Sequence, residues 1–235
     1  MKAHARVVAE FVDGRTVLRE LRSESPLTLV PHRGKPGLVH LVNSASAPLG
    51  GDSLDLTLIA MPGAWLKVVG VAASLVLPGP RPATSRFAVH VEAAEGSTVE
   101  YLPDATIVTQ RAHHSAMFTG SLDASARLTM REMLVLGREN ESPGRLSTET
   151  IVRRGRTPVL NQKLEIDSLI ASPAVLVGRR VLATDLRVGY EDPPSPVAEE
   201  WCSLVPLAAG GSLTTALAHD AVSARQMIDS LNRFC

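Results

Sequence analysis

The sequence predicts a mainly β protein, either a sandwich or an irregular β-solenoid of stacked strands, with one or two helices. Three observations carry this. Apolar residues recur at a period of two, turn-forming residues punctuate the chain densely, and the period shifts to that of a helix only near the C-terminal end.

Taken in order, Leu27 to Val30 and Leu38 to Val42 are short apolar runs of strand length. Leu54, Leu56 and Leu58 then alternate with Asp55 and Thr57, just after the turn-like Leu49-Gly50-Gly51-Asp52. Trp65 to Val69 is a further strand. Phe87, Val89 and Val91 alternate with Arg86, Ala88, His90 and Glu92. Thr106 to Thr109, Leu128 with Met130, and Val175 to Ala183 complete the series. Each alternation suits a strand with one covered face and one wetter face. The 17 glycines and 16 prolines are spread along the chain, and Pro78-Gly79-Pro80-Arg81-Pro82 and Glu141 to Arg145 read as connections between strands. Glu191-Asp192-Pro193-Pro194-Ser195-Pro196 is the strongest break, and too few residues follow it for a second domain. A long loop within a single domain spanning 1–235 is expected. Leu217, Ala221, Ala224, Ile228 and Leu231 recur at helical spacing, which predicts an amphipathic helix from about Leu213 to Asn232.

Composition narrows the function. At 45% hydrophobic residues over 235 positions, the chain fills a core and is no disordered adaptor. Its 24 basic and 24 acidic residues cancel, so nothing points to nucleic acid or to an anionic membrane surface. No stretch of about 18 apolar residues exists to span a bilayer, and the N-terminal region lacks the apolar run of a signal peptide, so a cytoplasmic protein is expected. The two cysteines, Cys202 and Cys235, form no CxxC pair and cannot make a cysteine-only metal site.

The search for catalytic motifs is negative. Gly34-Lys35-Pro36-Gly37 lacks the spacing of a phosphate loop, and no GxSxG elbow or HExxH helix occurs. No catalytic residue is nominated and no tightly bound cofactor is expected. His113 and His114 are chemically apt for nickel, zinc or copper. As strand neighbours they point to opposite faces, so ordinary hydrogen-bonding roles compete with transient metal contact. Glu100 and Asp104 fit either a hydrated cation passage or, more plainly, a polar strand face and a turn after Pro103. Glu132 stands apart. In register it shares the covered face with Leu128, Met130, Leu134 and Leu136, where a carboxylate should be paired or hydrogen-bonded, and Arg138, near the following turn, is a candidate partner.

Three blocks in order give the chain a family resemblance. Leu27-Thr28-Leu29 with Pro31 precedes Gly50-Gly51-Asp52. Glu100-Tyr101-Leu102-Pro103-Asp104-Ala105-Thr106-Ile107 is close to an L-E-Y-L-P-D-P-x-I pattern, and Arg131-Glu132 through Gly137-Arg138 is similar to an E-x-x-x-x-G-R element. Together they resemble the urease accessory protein UreD (UreH) family over roughly residues 25–145. Departures fall at Ser44 to Pro48, at Val69 to Leu75, where the family carries a threonine- and glutamine-rich stretch, and at Arg138 to Gly144. The chain resembles a divergent branch.

The resemblance implies a β-helical scaffold of stacked strands that binds UreF-like and UreG-like accessory proteins and apo-urease. It also implies support for nickel insertion, with transient passage of Ni2+ and no enzymatic activity of its own. Weak candidates for nickel contact are Asp52, Glu100, Asp104, His113, His114 and Glu132. Gly50, Gly51, Tyr101, Pro103, Gly137 and Arg138 are candidates for shaping the fold or an interface, and the C-terminal helix for contacting the UreF-like partner. An assembly scaffold that never touches nickel is the rival reading, and a hydrolase a weaker one.

Overall fold

The computed structural model describes residues 1–167, 176–193 and 195–234. In chain order the strands are β1 (Lys2–Val12), β2 (Arg15–Arg22), β3 (Leu27–Pro31), β4 (Leu38–Asn43), β5 (Ser53–Ala60) and β6 (Trp65–Gly70). There follow β7 (Ser74–Val76), β8 (Ser85–Ala93), β9 (Thr98–Leu102), β10 (Thr106–Val108), β11 (His113–Leu122) and β12 (Arg127–Leu136). The last are β13 (Arg145–Arg154), β14 (Thr157–Ile166), β15 (Val181–Val188), β16 (Val197–Ala198), β17 (Cys202–Pro206) and β18 (Ser212–Ala218). Helix α1 (Ala221–Leu231) and a 3-10 turn over Asn232–Phe234 close the described chain.

These strands form a seven-stranded sheet, β14-β13-β11-β8-β5-β1-β2, and an eleven-stranded sheet, β16-β17-β18-β15-β12-β9-β6-β4-β3, the latter also holding β7 and β10. From β4 to β13 the chain passes back and forth between the two. Strands β5, β8, β11 and β13 pair in parallel in one sheet, and β4, β6, β9 and β12 in the other. Leu54, Phe87, Ala116 and Thr148 thus lie one beside the next. This is a β-solenoid, as the resemblance implied. Its core lies between the sheets, where Leu54, Leu56 and Leu58 of β5 join Leu66, Val99 and Leu128 of the opposite sheet. The inward positions of β5 and β8 read from sequence pack into the core, although Thr57 and Ala88 on the opposite face are buried as well and Phe87 is only half-buried.

A second apolar cluster forms on the outer face of the eleven-stranded sheet. Ala224, Ile228 and Leu231 of α1 pack there on Met133, Val181, Ala183, Leu204 and Ala216. The break at 191–196 lies between β15 and β16 of this same sheet.

Two expectations need correction. The helix does not begin at Leu213, because Ser212–Ala218 is strand β18, held between β15 and β17. Ser212, Thr214, Ala216 and Ala218 are buried in alternation there on the side that α1 covers, a period of two that the helical spacing of Leu217 hides. Asp220 starts the helix instead, its side chain accepting from the Ser223 N–H at 2.9 Å. The strand expected over 175–183 begins only at Val181; Val177 takes a positive φ of 49° in a preceding turn, and Val175 lies outside the described residues, as do Pro194 and Cys235.

Candidate functional site

The eleven-stranded sheet is interrupted along one row. Strand β9 pairs with β12 up to Tyr101 opposite Met130, and β10 resumes with Thr106 opposite Leu134. One strand further over, β6 ends at Gly70 and β7 resumes at Ser74, beside β10. Val71 to Ala73 and Pro103 to Ala105 therefore leave the ladder at the same level. Proline supplies no N–H, so Pro103 cannot continue β9. Gly70 sits so close to Asp104 that a Cβ there would strike the Asp104 backbone nitrogen. Strand β12 runs on through the gap, with Arg131, Glu132 and Met133 paired only on their β15 side. The result is a window in the sheet.

A cavity of about 100 Å³ occupies this window. Its walls include Phe87 and Phe118 from the opposite sheet, Pro103 and Asp104 from the rim, and both Glu132 and Met133 of β12. Successive strand residues face opposite sides of a sheet, so the cavity reaches from the inter-sheet core toward the face that carries α1. A smaller cavity of about 20 Å³ lies deeper between the sheets and is lined by Thr148, Thr150, Gln162 and Thr184. Met130 and Glu132 line both cavities.

Glu132 thus stands where the two spaces meet. Among the described residues its carboxyl has no hydrogen bond and no ion pair. Burial pushes its pKa up to about 7, because a desolvated carboxylate has nothing to compensate the water it lost. The expected partner, Arg138, is elsewhere: it is exposed and donates from Nε to Glu141 at 2.9 Å, holding that carboxylate well down, to about 2. Glu141 is only three residues away across a turn in which Gly137 takes a φ of +77°, and it outcompetes a carboxyl that faces inward.

Tyr101 lines the same cavity, its ring stacked on Phe118 with centroids 5.9 Å apart. Burial, and then the nearby Glu132 charge, push its phenol pKa up. His114 also lines it and lies only 4% exposed. Burial pushes its pKa down to about 4, against a hydrogen bond to Ser85 that acts the other way. The Ser85 hydroxyl lies 2.9 Å from Nδ1 of His114 and 3.2 Å from the His113 carbonyl oxygen. A hydroxyl that donates to that carbonyl accepts from Nδ1–H, which leaves Nε2 of a neutral ring as the free lone pair.

The fold therefore gathers Tyr101, Pro103, Asp104, His114 and Glu132 around one space. The other candidates stand apart. Asp52 is buried in its own turn, accepting from the Met1 amino group at 2.6 Å and the Leu49 N–H at 2.8 Å, and Gly50 packs in the same turn against Gly79 and Ala83. Gly51 takes a φ of +93° beside it. Glu100 accepts from the Trp65 indole at 2.9 Å and from the Lys67 ammonium at 2.7 Å. His113 points away from His114, as strand neighbours do. Cys202 is buried, its thiol pushed up to about 11 by burial and then by Glu199, so it stays protonated and inert.

Sequence reasoning missed several residues here. Asp185, fully buried, accepts from Arg131 Nε at 2.8 Å, Asn232 Nδ2 at 3.0 Å and Arg187 Nε at 3.2 Å. Arg131 also reaches Asp229 of α1 at 2.9 Å, and Arg225 of α1 reaches Asp104 at 2.7 Å. Met117, Met130 and Met133 add thioethers to the cavity wall. The signal available was the placing of Glu132 between an arginine and two methionines in one strand.

Fold and cavity define a class: a β-solenoid scaffold, one sheet of which is pierced by a cavity with a half-buried carboxyl at its inner end. Within that class the chain belongs to the UreD urease accessory protein family, which it matches over residues 1–234. It is similar to urease accessory protein UreD 1 of Saccharopolyspora erythraea, 47% identical over 96% of this chain and 92% of that protein. The UreD proteins of Streptomyces coelicolor (36% identical, covering 97% and 94%) and of a Parafrankia species (34%, covering 98% and 88%) are further relatives. Membership makes the chain an accessory protein to urease rather than the hydrolase.

Proposed function

We propose that this chain acts in urease maturation as a scaffold that binds UreF-like and UreG-like proteins and apo-urease, and that Ni2+ crosses it through the window. The observation that carries the passage is Glu132, a carboxyl without a partner among the described residues, between two cavities. A carboxyl held near neutrality exchanges its proton for a divalent cation at little cost, since the cation supplies the positive charge that the site lacks. His114 Nε2 offers a nitrogen donor suited to nickel in the same space. Thr148, Thr150, Gln162 and Thr184 offer oxygens beyond it. Enclosure by protein keeps a transferred ion from competing ligands. The amphipathic α1, with Val222 66% exposed on its outer side, is the proposed contact for the UreF-like partner.

The test is reconstitution of apo-urease with the cognate UreF-like and UreG-like proteins, scoring nickel content and urea hydrolysis. Omitting the chain is expected to prevent activation. At matched complex levels Glu132→Gln is expected to lower activation by about tenfold or more, the usual cost of losing a metal-contacting group. Asp104→Ala should reduce activation more than it reduces folding. Full activation by Glu132→Gln would leave an assembly scaffold without a nickel role, and full activation by Asp104→Ala would remove Asp104 from the transfer.

A further inference from the structure

The outer rim of the window carries charges that a passage alone does not require. Asp104 is the rim carboxylate that lines the cavity itself, 30% exposed, and its Oδ1 already accepts from Arg225 Nη2 at 2.7 Å. Beside it, Arg131 is shared between Asp185 and Asp229, and Arg187 faces Asp185. Three carboxylates thus meet three guanidiniums, and the rim is neutral. A divalent cation arriving from solvent finds no net attraction there, and it finds a fixed positive charge on the first carboxylate that it would use.

The ties between α1 and the sheet differ in strength along the helix. Its C-terminal end is anchored by a buried network, in which Asn232 donates to Asp185 and accepts from the Thr214 hydroxyl at 2.7 Å. Arg225, earlier in the helix, is 48% exposed. An ion pair reached by water on both sides exchanges readily. Val222, Arg225, Gln226 and Asp229 share the exposed face of α1, so the guanidinium sits next to an exposed apolar side chain. That pairing suits a protein surface presenting a carboxylate beside an apolar contact.

We propose that Arg225 masks Asp104, and that a divalent cation gains this carboxylate as its first ligand at the window only when an acidic group of a docked protein draws the guanidinium away. Docking on α1 and loading of the window are thereby coupled through one exchanged ion pair. Unmasking leaves the rim with a net charge of −1, which favours the cation. This inference rests on the passage reading.

The experiment titrates the purified full chain with Ni2+ alone, by calorimetry, in the absence of any partner. Arg225→Gln is expected to bind Ni2+ about tenfold more tightly than the unmodified chain, the scale on which an adjacent opposite charge acts on a carboxylate. Arg225→Gln with Asp104→Asn should abolish the gain, and Arg225→Lys should behave as the unmodified chain. Val222→Glu places a competing carboxylate three residues before Arg225 and should move affinity in the same direction by a smaller factor. Masking is overturned if Arg225→Gln binds as the unmodified chain does, or if the gain survives Asp104→Asn. The Glu132→Gln reconstitution separates the two readings. Loss of activation there with no gain from Arg225→Gln refutes masking alone. A gain from Arg225→Gln with normal activation by Glu132→Gln makes Asp104 a surface site and refutes the passage.

Discussion

At the scale of the residue, Glu132 sets stability against the proposed passage. Below about pH 4.5 its carboxyl is protonated in both folded and unfolded chains and costs nothing. Between about 4.5 and 7 the unfolded chain releases the proton while the folded chain holds it, so stability falls, and above 7 the loss is constant at about 3 kcal/mol. Glu132→Gln removes this slope. Its melting temperature should exceed that of the unmodified chain by about 5–10 °C at pH 8 and match it near pH 4.5. A constant difference at both pH values would contradict the unpaired burial. His114 acts in the other direction: its pKa is depressed, so its contribution is full above about 6.5 and is lost as pH falls toward 4. The covered face of Glu132 was legible in sequence, because a period of two assigns every second residue of a strand to one side. Its lack of a partner was not. That depends on Arg138 being captured by Glu141, a local contact that pattern reading cannot rank against a more distant one.

At the scale of the element, α1 shows how two periods compete in one stretch. Leu217 lies four residues before Ala221, and this spacing extended the helical stripe into Ser212–Ala218. The same residues alternate small and larger side chains at a period of two, and neighbours on both sides supply a ladder. Tertiary pairing decides such cases. The cap at Asp220 marks the true boundary, so Asp220→Ala should lower the melting temperature and speed amide exchange across the first turn of α1. Unchanged exchange there would mean that packing by Ala224 and Ile228 alone sets the helix start. The strands β5 and β8 were legible for a complementary reason. Each has a continuous alternation, with no overlapping helical spacing to compete with it.

At the scale of the molecule, the solenoid rests on contacts between turns that do not resemble one another in sequence. Leu54, Phe87, Ala116 and Thr148 are neighbours of four different types, so no repeat advertises the stack; the pattern left a sandwich and a solenoid open, and the family resemblance chose between them. The rim of the window was equally hidden: Arg225 and Asp104 stand 121 positions apart. The shared core ties the turns together. Leu56→Ala, at a fully buried site between the sheets, should cost about 3 kcal/mol in denaturant unfolding without a separate early transition. An early transition would mean that the turns melt independently. The interrupted row has its own consequence for what lines the doorway. Where Arg131 to Met133 face no strand, backbone N–H and C=O groups that a complete ladder would consume are left pointing into the opening. Polarity there belongs to the main chain, and no substitution of a side chain removes it. The apolar Val71-Ala72-Ala73 can therefore border the opening without making it a greasy one.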